Sequence, residues 1–172
     1  MFALPVWFRW NDRRSIGFVT LAVVASLIPD LDLWLAAMFP DAIHHHGVTH
    51  TVLFVLGTSA VGAALMTGAF SDRIDRWMTT ERVDPGQVFS LAFFALLAGG
   101  LSHVFADMLS APDISTPIEP LWPLVDGSWG IDILWYNAWW INFGFLVVMV
   151  VAHVVAAYAM TPPERRPLLR PF

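Results

Sequence analysis

Residues 88–109 read VFSLAFFALLAGGLSHVFADML, an apolar stretch with a single carboxylate and no arginine or lysine. A helix needs about 20 predominantly apolar residues to cross the hydrocarbon core of a bilayer, so this stretch is predicted to be a transmembrane helix. Near its end it carries His103 and Asp107, which lie four residues apart and share one helical face. Ionisable groups are rare in membrane-spanning segments, and these two are therefore candidates for function.

Three other stretches support a membrane fold. Residues 51–70 and roughly 139–160 pass the same length test. Residues 16–39 are also long enough, but Pro29 and the carboxylates beside it interrupt them. We expect a spanning helix that ends near Pro29, followed by a short interfacial or re-entrant piece over residues 33–39. Irregular backbone at that depth must be buried in protein or line a wet cavity.

The composition agrees with one integral membrane domain over residues 1–172. The chain is 57% hydrophobic and only 13% charged, which is too little charge to solvate a soluble domain of this size. The predicted fold is all-α, a polytopic membrane helical bundle of about four transmembrane helices, with a broken first span and a short interfacial segment. The lipid bilayer is the expected partner, and the sequence defines no protein partner.

Charge and cysteine content exclude several classes of function. The net charge of −5 argues against nucleic acid as the main partner, because phosphate binding requires a basic face. The absence of cysteine excludes disulfides, thiolate metal ligands and cysteine nucleophiles. The N-terminus does not have the pattern of a cleavable signal peptide, since its arginines follow the aromatic residues instead of preceding them.

The arginines predict the orientation of the chain in the membrane. There is no lysine, and the nine basic residues form three clusters between the apolar stretches: Arg9, Arg13, Arg14, Arg73, Arg76, Arg82, Arg165, Arg166 and Arg170. Because short cytoplasmic loops carry the arginine excess, residues 1–15 and 161–172 are predicted to be cytoplasmic tails and residues 71–87 a cytoplasmic loop. The chain is thus expected to be a multi-pass protein of the cell membrane with both termini in the cytoplasm.

The opposite ends of the spans are acidic and aromatic. Residues 40–50 and 110–134 would lie outside the cytoplasm. Carboxylates without a balancing arginine or lysine lie on that side: Asp30, Asp32, Asp41, Asp107, Asp113, Glu119, Asp126 and Asp132. Aromatic residues are predicted to form a belt at the same interface: Trp122, Trp129, Trp135, Tyr136, Trp139 and Trp140. An acidic mouth of this kind suits a cation.

Asp30 and Asp32 are the first candidate ligands. A charged group within a transmembrane segment costs about 2.5–3.5 kcal/mol on insertion scales, so such groups are functional candidates. Positions i and i+2 do not share a face of a regular helix, but Pro29 disrupts the geometry and would let both carboxylates converge on one cation. The alternative is a helix end whose carboxylates reach into the headgroups.

The stretch HHHGVTHT, which begins at His44, supplies further candidates. If a helix starts near Gly47, His46 and His50 project from one helical face, at the spacing that lets two imidazoles bind one metal. Three adjacent histidines cannot all point the same way, so at most two of His44, His45 and His46 are expected to be ligands. The alternative is a polar, partly solvated loop.

The pair of His103 and Asp107 lies in the outer third of its span, level with the other candidates. The alternative for this pair is a hydrogen-bonded couple that only holds two helices together. Gly99 and Gly100, one turn earlier, permit close approach of another helix. The sequence around Ser102 lacks the Gly-x-Ser-x-Gly pattern, so a serine triad is not expected.

Ligands from three segments at one membrane depth predict a metal centre. The predicted ligand set is Asp30, Asp32, His45, His46, His50, His103 and Asp107. Nitrogen and oxygen ligands without sulfur suit Zn²⁺, Mn²⁺, Fe²⁺ or Ni²⁺; abundance and Lewis acidity favour zinc, and the number of ligands leaves room for two ions. Asp32 is the candidate general base. His153, about 20 Å deeper at 1.5 Å per residue, is expected to be structural.

Four motifs resemble those of a known family. They are LIPDLD at residues 27–32, HHGVTHT at 45–51, GLSHVFADML at 100–109 and PIEPLWP at 117–123. Together they are similar to the YdjM-like family of inner-membrane proteins described as metal-dependent hydrolases, which includes a LexA-binding member. The resemblance covers roughly residues 20–125.

The resemblance also implies two points about this chain. The family usually has arginine after the first histidine of the second motif, whereas here Gly47 follows His46 and His45 precedes it, so either histidine can be the ligand. Family members tend to open with a further helix that carries a Gly-His or Thr-His pair. Residues 1–8 are expected to be the tail of such a helix, and a ligand is expected to precede them.

Three functions follow from these residues. The leading hypothesis is a membrane-embedded hydrolase with a divalent metal ion, most simply zinc, that acts on a phosphoester or ester of a lipid-like substrate at the outer interface. The alternative is a non-catalytic, metal-stabilised membrane scaffold or regulator, in which protein ligands would enclose the ion. A cation carrier ranks third, because the inner halves of the spans lack ionisable residues apart from His153.

Overall fold

The computed structural model describes residues 1–10, 12–78, 84–111, 116–135 and 137–162. Its regular elements follow in chain order: a 3₁₀ helix Leu4–Phe8, α1 Asp12–Ala25, α2 Leu31–Met38, a 3₁₀ helix Val48–His50, α3 Val52–Met78, α4 Pro85–Leu109, β1 Ser110–Ala111, β2 Leu134–Trp135 and α5 Trp139–Met160. The two strands form a short parallel pair. The architecture is helical, which confirms the predicted fold class.

Among the described residues, three helices are long and apolar enough to cross a membrane: Val52–Ile74 of α3, α4 and α5. The predicted first span is shorter than expected, because α1 has 14 residues and therefore a length of about 21 Å. A hydrocarbon core of about 30 Å exceeds that length. The interruption predicted at Pro29 is present, and it begins earlier, since α1 ends at Ala25.

The break between α1 and α2 follows from Pro29. Proline disfavours the helical conformation of the residue before it, here Ile28. The chain turns through residues 26–30, where the backbone N–H groups of Leu27 and Ile28 bond to carbonyls three residues back. Regular helix resumes only at Leu31, which leaves an irregular segment between the two helices.

α4 is the central helix, with α1 and α3 packed on it. A Cβ at Gly99 would collide with the carbonyl oxygen of Ala22 in α1, and a Cβ at Gly100 would lie 2.6 Å from Cγ1 of Val55 in α3. The close approach predicted for this glycine pair is therefore present on two sides. It fixes the depth at which α1 and α3 meet the end of α4 that carries His103.

α5 lies to one side of this core, and its main contact is with the 3₁₀ helix Leu4–Phe8. The indole Nε1 of Trp7 donates a hydrogen bond to Nδ1 of His153 across that contact, with a length of 2.8 Å. The structural role predicted for His153 agrees with this bond. Most other side chains of α5 are exposed in the isolated chain, as expected of a helix that faces lipid.

Residues 116–135 cover the end of the bundle where α3 begins and α4 ends. Ile118 is buried and packs against Val55 and Val104. The carbonyl of Pro120 accepts a hydrogen bond from the N–H of Val52, and the carbonyl of Met108 accepts one from Ile131. Several predictions fall outside the described residues: Arg82, Asp113 and Tyr136, and the cytoplasmic tail beyond Pro162.

Candidate metal centre

The predicted ligands come from three parts of the fold. Asp30 and Asp32 lie at the start of α2, directly after the break in the chain. His45 and His46 belong to the loop that follows α2, and His50 ends the 3₁₀ helix before α3. His103 and Asp107 lie on the last turns of α4. The structure brings all of these side chains to one end of the bundle.

His50 is at the centre of the group, with its side chain fully buried. Its Nδ1 lies 3.1 Å from Oδ2 of Asp32. Its Nε2 lies 3.3 Å from Nε2 of His103 and 3.4 Å from Oδ2 of Asp107. A proton on Nδ1 satisfies Asp32, and Nε2 then presents its lone pair to the other two residues.

Nε2 of His103, which faces Nε2 of His50, has two further neighbours. It lies 3.0 Å from Oδ2 of Asp107 and 3.4 Å from Oδ1 of Asp30. Oδ1 of Asp30 is 3.8 Å from Nε2 of His50. Asp30 occupies the N-cap position of α2, yet its side chain makes no capping bond and is directed into the group instead.

Three of these atoms, Nε2 of His50, Nε2 of His103 and Oδ2 of Asp107, lie close enough to one another to bind one ion, and Oδ1 of Asp30 lies next to both imidazoles. A tetrahedral site with metal–ligand bonds of about 2.0–2.1 Å places its ligand atoms about 3.3–3.4 Å apart. The five separations given above range from 3.0 to 3.8 Å. The buried Oδ2 of Asp107 makes no well-aligned hydrogen bond among the described residues, although it is close to both imidazoles. A divalent cation held by His50, His103 and Asp107 would satisfy that oxygen.

Asp32 differs from Asp30 because its oxygens are already engaged. Its side chain is 1% exposed. Oδ2 accepts hydrogen bonds from the Thr49 hydroxyl at 2.8 Å and from the His46 backbone N–H at 3.1 Å. Oδ1 lies 2.9 Å from Nδ1 of His45. With His50 as a further neighbour, this carboxylate joins the loop, the 3₁₀ helix and α2.

The rings of His45 and His46 lie next to that of His50. The ring centroid of His46 is 4.1 Å from that of His45 and 4.8 Å from that of His50. Nδ1 of His46 also lies 2.5 Å from the Thr116 carbonyl, which ties the outer loop to the group. The structure therefore offers three overlapping sets of possible ligands: His45 with His46 and His50; Asp30 with Asp32, His45 and His50; and His50 with His103 and Asp107.

The backbone conformation of the histidine stretch differs from the predicted one. The second helix was expected to start near Gly47 and to place His46 and His50 on one face. Instead α3 starts at Val52, and His46 has a positive φ of 66°. Asp32 accounts for the difference, because it accepts the His46 N–H and the Thr49 hydroxyl and so holds the segment in a turn. The predicted proximity of the two rings is nevertheless present.

One contact of the site has no sequence signal. The group that meets His46 in the outer loop is the backbone carbonyl of Thr116, and every residue has such a carbonyl. Thr49, by contrast, stands out in the sequence between the histidines, and its hydroxyl lies 3.2 Å from Nδ1 of His50. Hydrogen bonds from neighbouring groups commonly orient metal-binding imidazoles.

Burial favours the neutral form of His50. The buried position lowers the pKa of His50 from its ordinary value to about 4, and the neighbouring carboxylates oppose this effect only in part. The imidazole is therefore neutral at neutral pH and needs to release no proton to act as a metal ligand. The Asp30 side chain is 34% exposed, so solvent reaches the group at that residue.

Comparison with known proteins gives one match. The model of the family described as YdjM inner membrane protein matches residues 3–170, nearly the whole chain. No curated protein and no solved structure matches. The resemblance read from the four motifs is thus confirmed, and the chain belongs to the YdjM inner membrane protein family.

Proposed function

We propose that this chain is a membrane-embedded, metal-dependent hydrolase that cleaves a phosphoester or carboxylic ester of a lipid-like substrate. The observation that carries the proposal is the convergence of Nε2 of His50, Nε2 of His103 and Oδ2 of Asp107, with Oδ1 of Asp30 next to both imidazoles. Nitrogen and oxygen donors without sulfur, at tetrahedral spacing, favour zinc. When bound, zinc supplies the Lewis acidity that activates water and polarises ester or phosphoryl oxygens.

Each residue then has a distinct role. His50, His103 and Asp107 hold the ion, and their burial excludes bulk water from that side. Asp32 orients His50 through a hydrogen bond to Nδ1. Its two oxygens are already engaged by His45, Thr49 and the His46 N–H, so Asp32 is assigned this role and not that of a ligand. A carboxylate that holds the free nitrogen of a ligating imidazole is a recurrent arrangement in metal sites.

Asp30 is the carboxylate with access to solvent and substrate. It is 34% exposed, whereas Asp32 is 1% exposed. A general base must reach the water that it deprotonates, so Asp30 fits that role, or that of an exchangeable fourth ligand, better than the Asp32 named from sequence. In the reaction, water delivers its hydroxide to the acyl or phosphoryl centre, and its proton goes by way of the base to the leaving alkoxide.

The exposure of Asp30 also favours an enzyme over a scaffold. A structural metal site is closed by protein ligands, whereas a catalytic site keeps an open position. Three ligand residues here are nearly buried, with exposed fractions of 0%, 16% and 9% for His50, His103 and Asp107. The site is accessible to solvent on the side of Asp30, and a substrate could reach it from there.

The orientation proposed for the site is extracytoplasmic, with the loop after α3 and the C-terminal end in the cytoplasm. The first residues pack within the bundle, where the Phe2 N–H donates a hydrogen bond to Oγ of Ser102. α3 has 27 residues and a length of about 40 Å, so Arg73 and Arg76 lie at the end of that helix opposite His50. Arg13 and Arg14 likewise lie in the first turn of α1, whose other end leads to Asp30. Because arginine-rich ends tend to face the cytoplasm, this arrangement supports an outer position for the candidate metal centre.

Hydrolysis by the purified protein tests the proposal. The protein in detergent micelles is incubated with phospholipids and with short-chain carboxylic esters, after chelation and again after addition of zinc. We expect product only with zinc, no product from His103→Ala, and an unchanged rate for His44→Ala. His44 is the matched control because it is an exposed histidine of the same loop that belongs to none of the three ligand sets. Equal release by wild type and His103→Ala would overturn the proposal.

A further inference from the structure

A cavity of about 490 Å³ lies between α1, α4 and α5, on the side of α4 away from α3. It exists because α5 leans on the 3₁₀ helix Leu4–Phe8, while small residues, Ala22 and Gly99 among them, face it from α1 and α4. Ligand pockets in proteins commonly measure about 300–1,000 Å³. The cavity therefore has the size of a binding site.

The cavity begins at the candidate metal centre, because His103 belongs to both. Its nearer end also contains Ser26 and Asn142, and its farther end contains His153. Between these ends the wall formed by α5 is apolar: Phe145, Leu146, Met149 and Val150. A molecule in this cavity would have polar groups near His103 and hydrocarbon along most of its length.

The length and opening of the cavity match one half of a bilayer. Its wall on α5 runs from Asn142 to Val154, about 18 Å at 1.5 Å per residue. One leaflet of a hydrocarbon core of about 30 Å is about 15 Å thick. Val23 on α1 and Val150 on α5 are 62% and 53% exposed, so the cavity is open sideways, where lipid surrounds the protein.

We propose that this cavity binds one hydrocarbon chain of an amphiphile whose head group reaches the metal centre at His103. The proposal rests on the function proposed above and names the part of the substrate that the protein grips. The apolar walls lead from the bilayer to the cluster of polar ligands. An ester could therefore reach the metal centre at the membrane interface while its hydrocarbon chain stays in an apolar environment.

Photocrosslinking tests binding without turnover. The probe is a phosphatidylglycerol with a diazirine in the middle of one acyl chain, present at a low level in nanodiscs of phosphatidylethanolamine and phosphatidylglycerol. We expect crosslinks to concentrate on Leu146, Met149 and Val150. In Met149→Trp, which fills the cavity, they should fall about tenfold, as for a loss of about 1.4 kcal/mol. Val148→Trp is the matched control, since Val148 is 58% exposed on the same helix and does not line the cavity.

Crosslinks spread evenly over Val148 and Met149 would mean that only annular lipid covers α5, and would overturn the proposal. Crosslinks between two copies of the chain through the cavity would also overturn it. Zinc content and elution as a single species verify that both tryptophan variants fold. The same probe is applied to His50→Ala, because crosslinking requires no hydrolysis. Retained crosslinks in this variant support lipid binding in the cavity whether or not the protein is a hydrolase, so the two proposals can fail separately.

Discussion

Nε2 of His50 and Nε2 of His103 lie 3.3 Å apart, although the residues are 53 positions apart in the chain. One belongs to a 3₁₀ turn and the other to the last part of a membrane-spanning helix. With Oδ2 of Asp107, these two nitrogens form a set of atoms that could hold one metal ion. This pairing is the relationship on which the metal centre depends.

The first prediction concerns metal content. Zinc should bind to the wild-type protein and should be lost from both His50→Ala and His103→Ala, because each variant removes one nitrogen of the facing pair. Elemental analysis of the purified, monodisperse proteins measures this. His44→Ala should retain the wild-type amount; a wild-type level in His50→Ala would refute the assignment.

The second prediction separates Asp32 from the ligands. Asp32→Asn should still bind zinc, but about 10–100-fold more weakly, because the amide cannot accept all the protons that hold His50 in place. Competition with a chromophoric chelator measures the dissociation constant. Asp41→Asn, which changes an exposed carboxylate in the loop after α2, is the control and should leave the constant unchanged. Complete loss of zinc from Asp32→Asn would identify Asp32 as a ligand instead.

The third prediction concerns the contact between α1 and α4. Gly99→Ala should lower the melting temperature, because the added methyl group meets the backbone carbonyl of Ala22, and overpacking costs about 1–3 kcal/mol. Tryptophan fluorescence during heating in detergent provides the readout. Gly57→Ala is the control, since no atom lies within 4 Å of a Cβ there. The two variants should differ, and identical melting curves would be inconsistent with the close contact.

The fourth prediction concerns orientation in the membrane. The chain has no cysteine, so a single introduced thiol reports its own side of the bilayer. Asp126→Cys should react with an impermeant maleimide in intact cells or spheroplasts, whereas Asp72→Cys should react only after permeabilisation. The opposite pattern would place the metal centre on the cytoplasmic side.

The sequence predicted those parts of the site whose geometry is local. His103 and Asp107 lie at i and i+4 of a helix, and that spacing has only one arrangement, so their proximity follows from the helix alone. The glycine pair before them likewise indicated close packing. The span lengths of α3, α4 and α5 followed from their uninterrupted apolar residues.

The remaining features depend on contacts between distant segments. The turn at His46 forms because Asp32 accepts its N–H, and no pattern within the histidine stretch contains that information. The roles of Asp30 and Asp32 could not be separated from sequence, since adjacent carboxylates differ only in what the fold places around them. Nor does the apolar stretch before Pro29 reveal that helix α1 stops at Ala25, because the residues after it are as hydrophobic as those before.

The interruption at Pro29 has a consequence for how this sequence can change. Pro29 is fully buried, and the non-helical turn around it places Asp30 at a position that an unbroken helix would not give it. A replacement such as leucine would favour an unbroken crossing and easier insertion into lipid. It would also rotate both acidic groups away from the imidazoles, so insertion into lipid and assembly of the candidate metal centre place opposite demands on this one position.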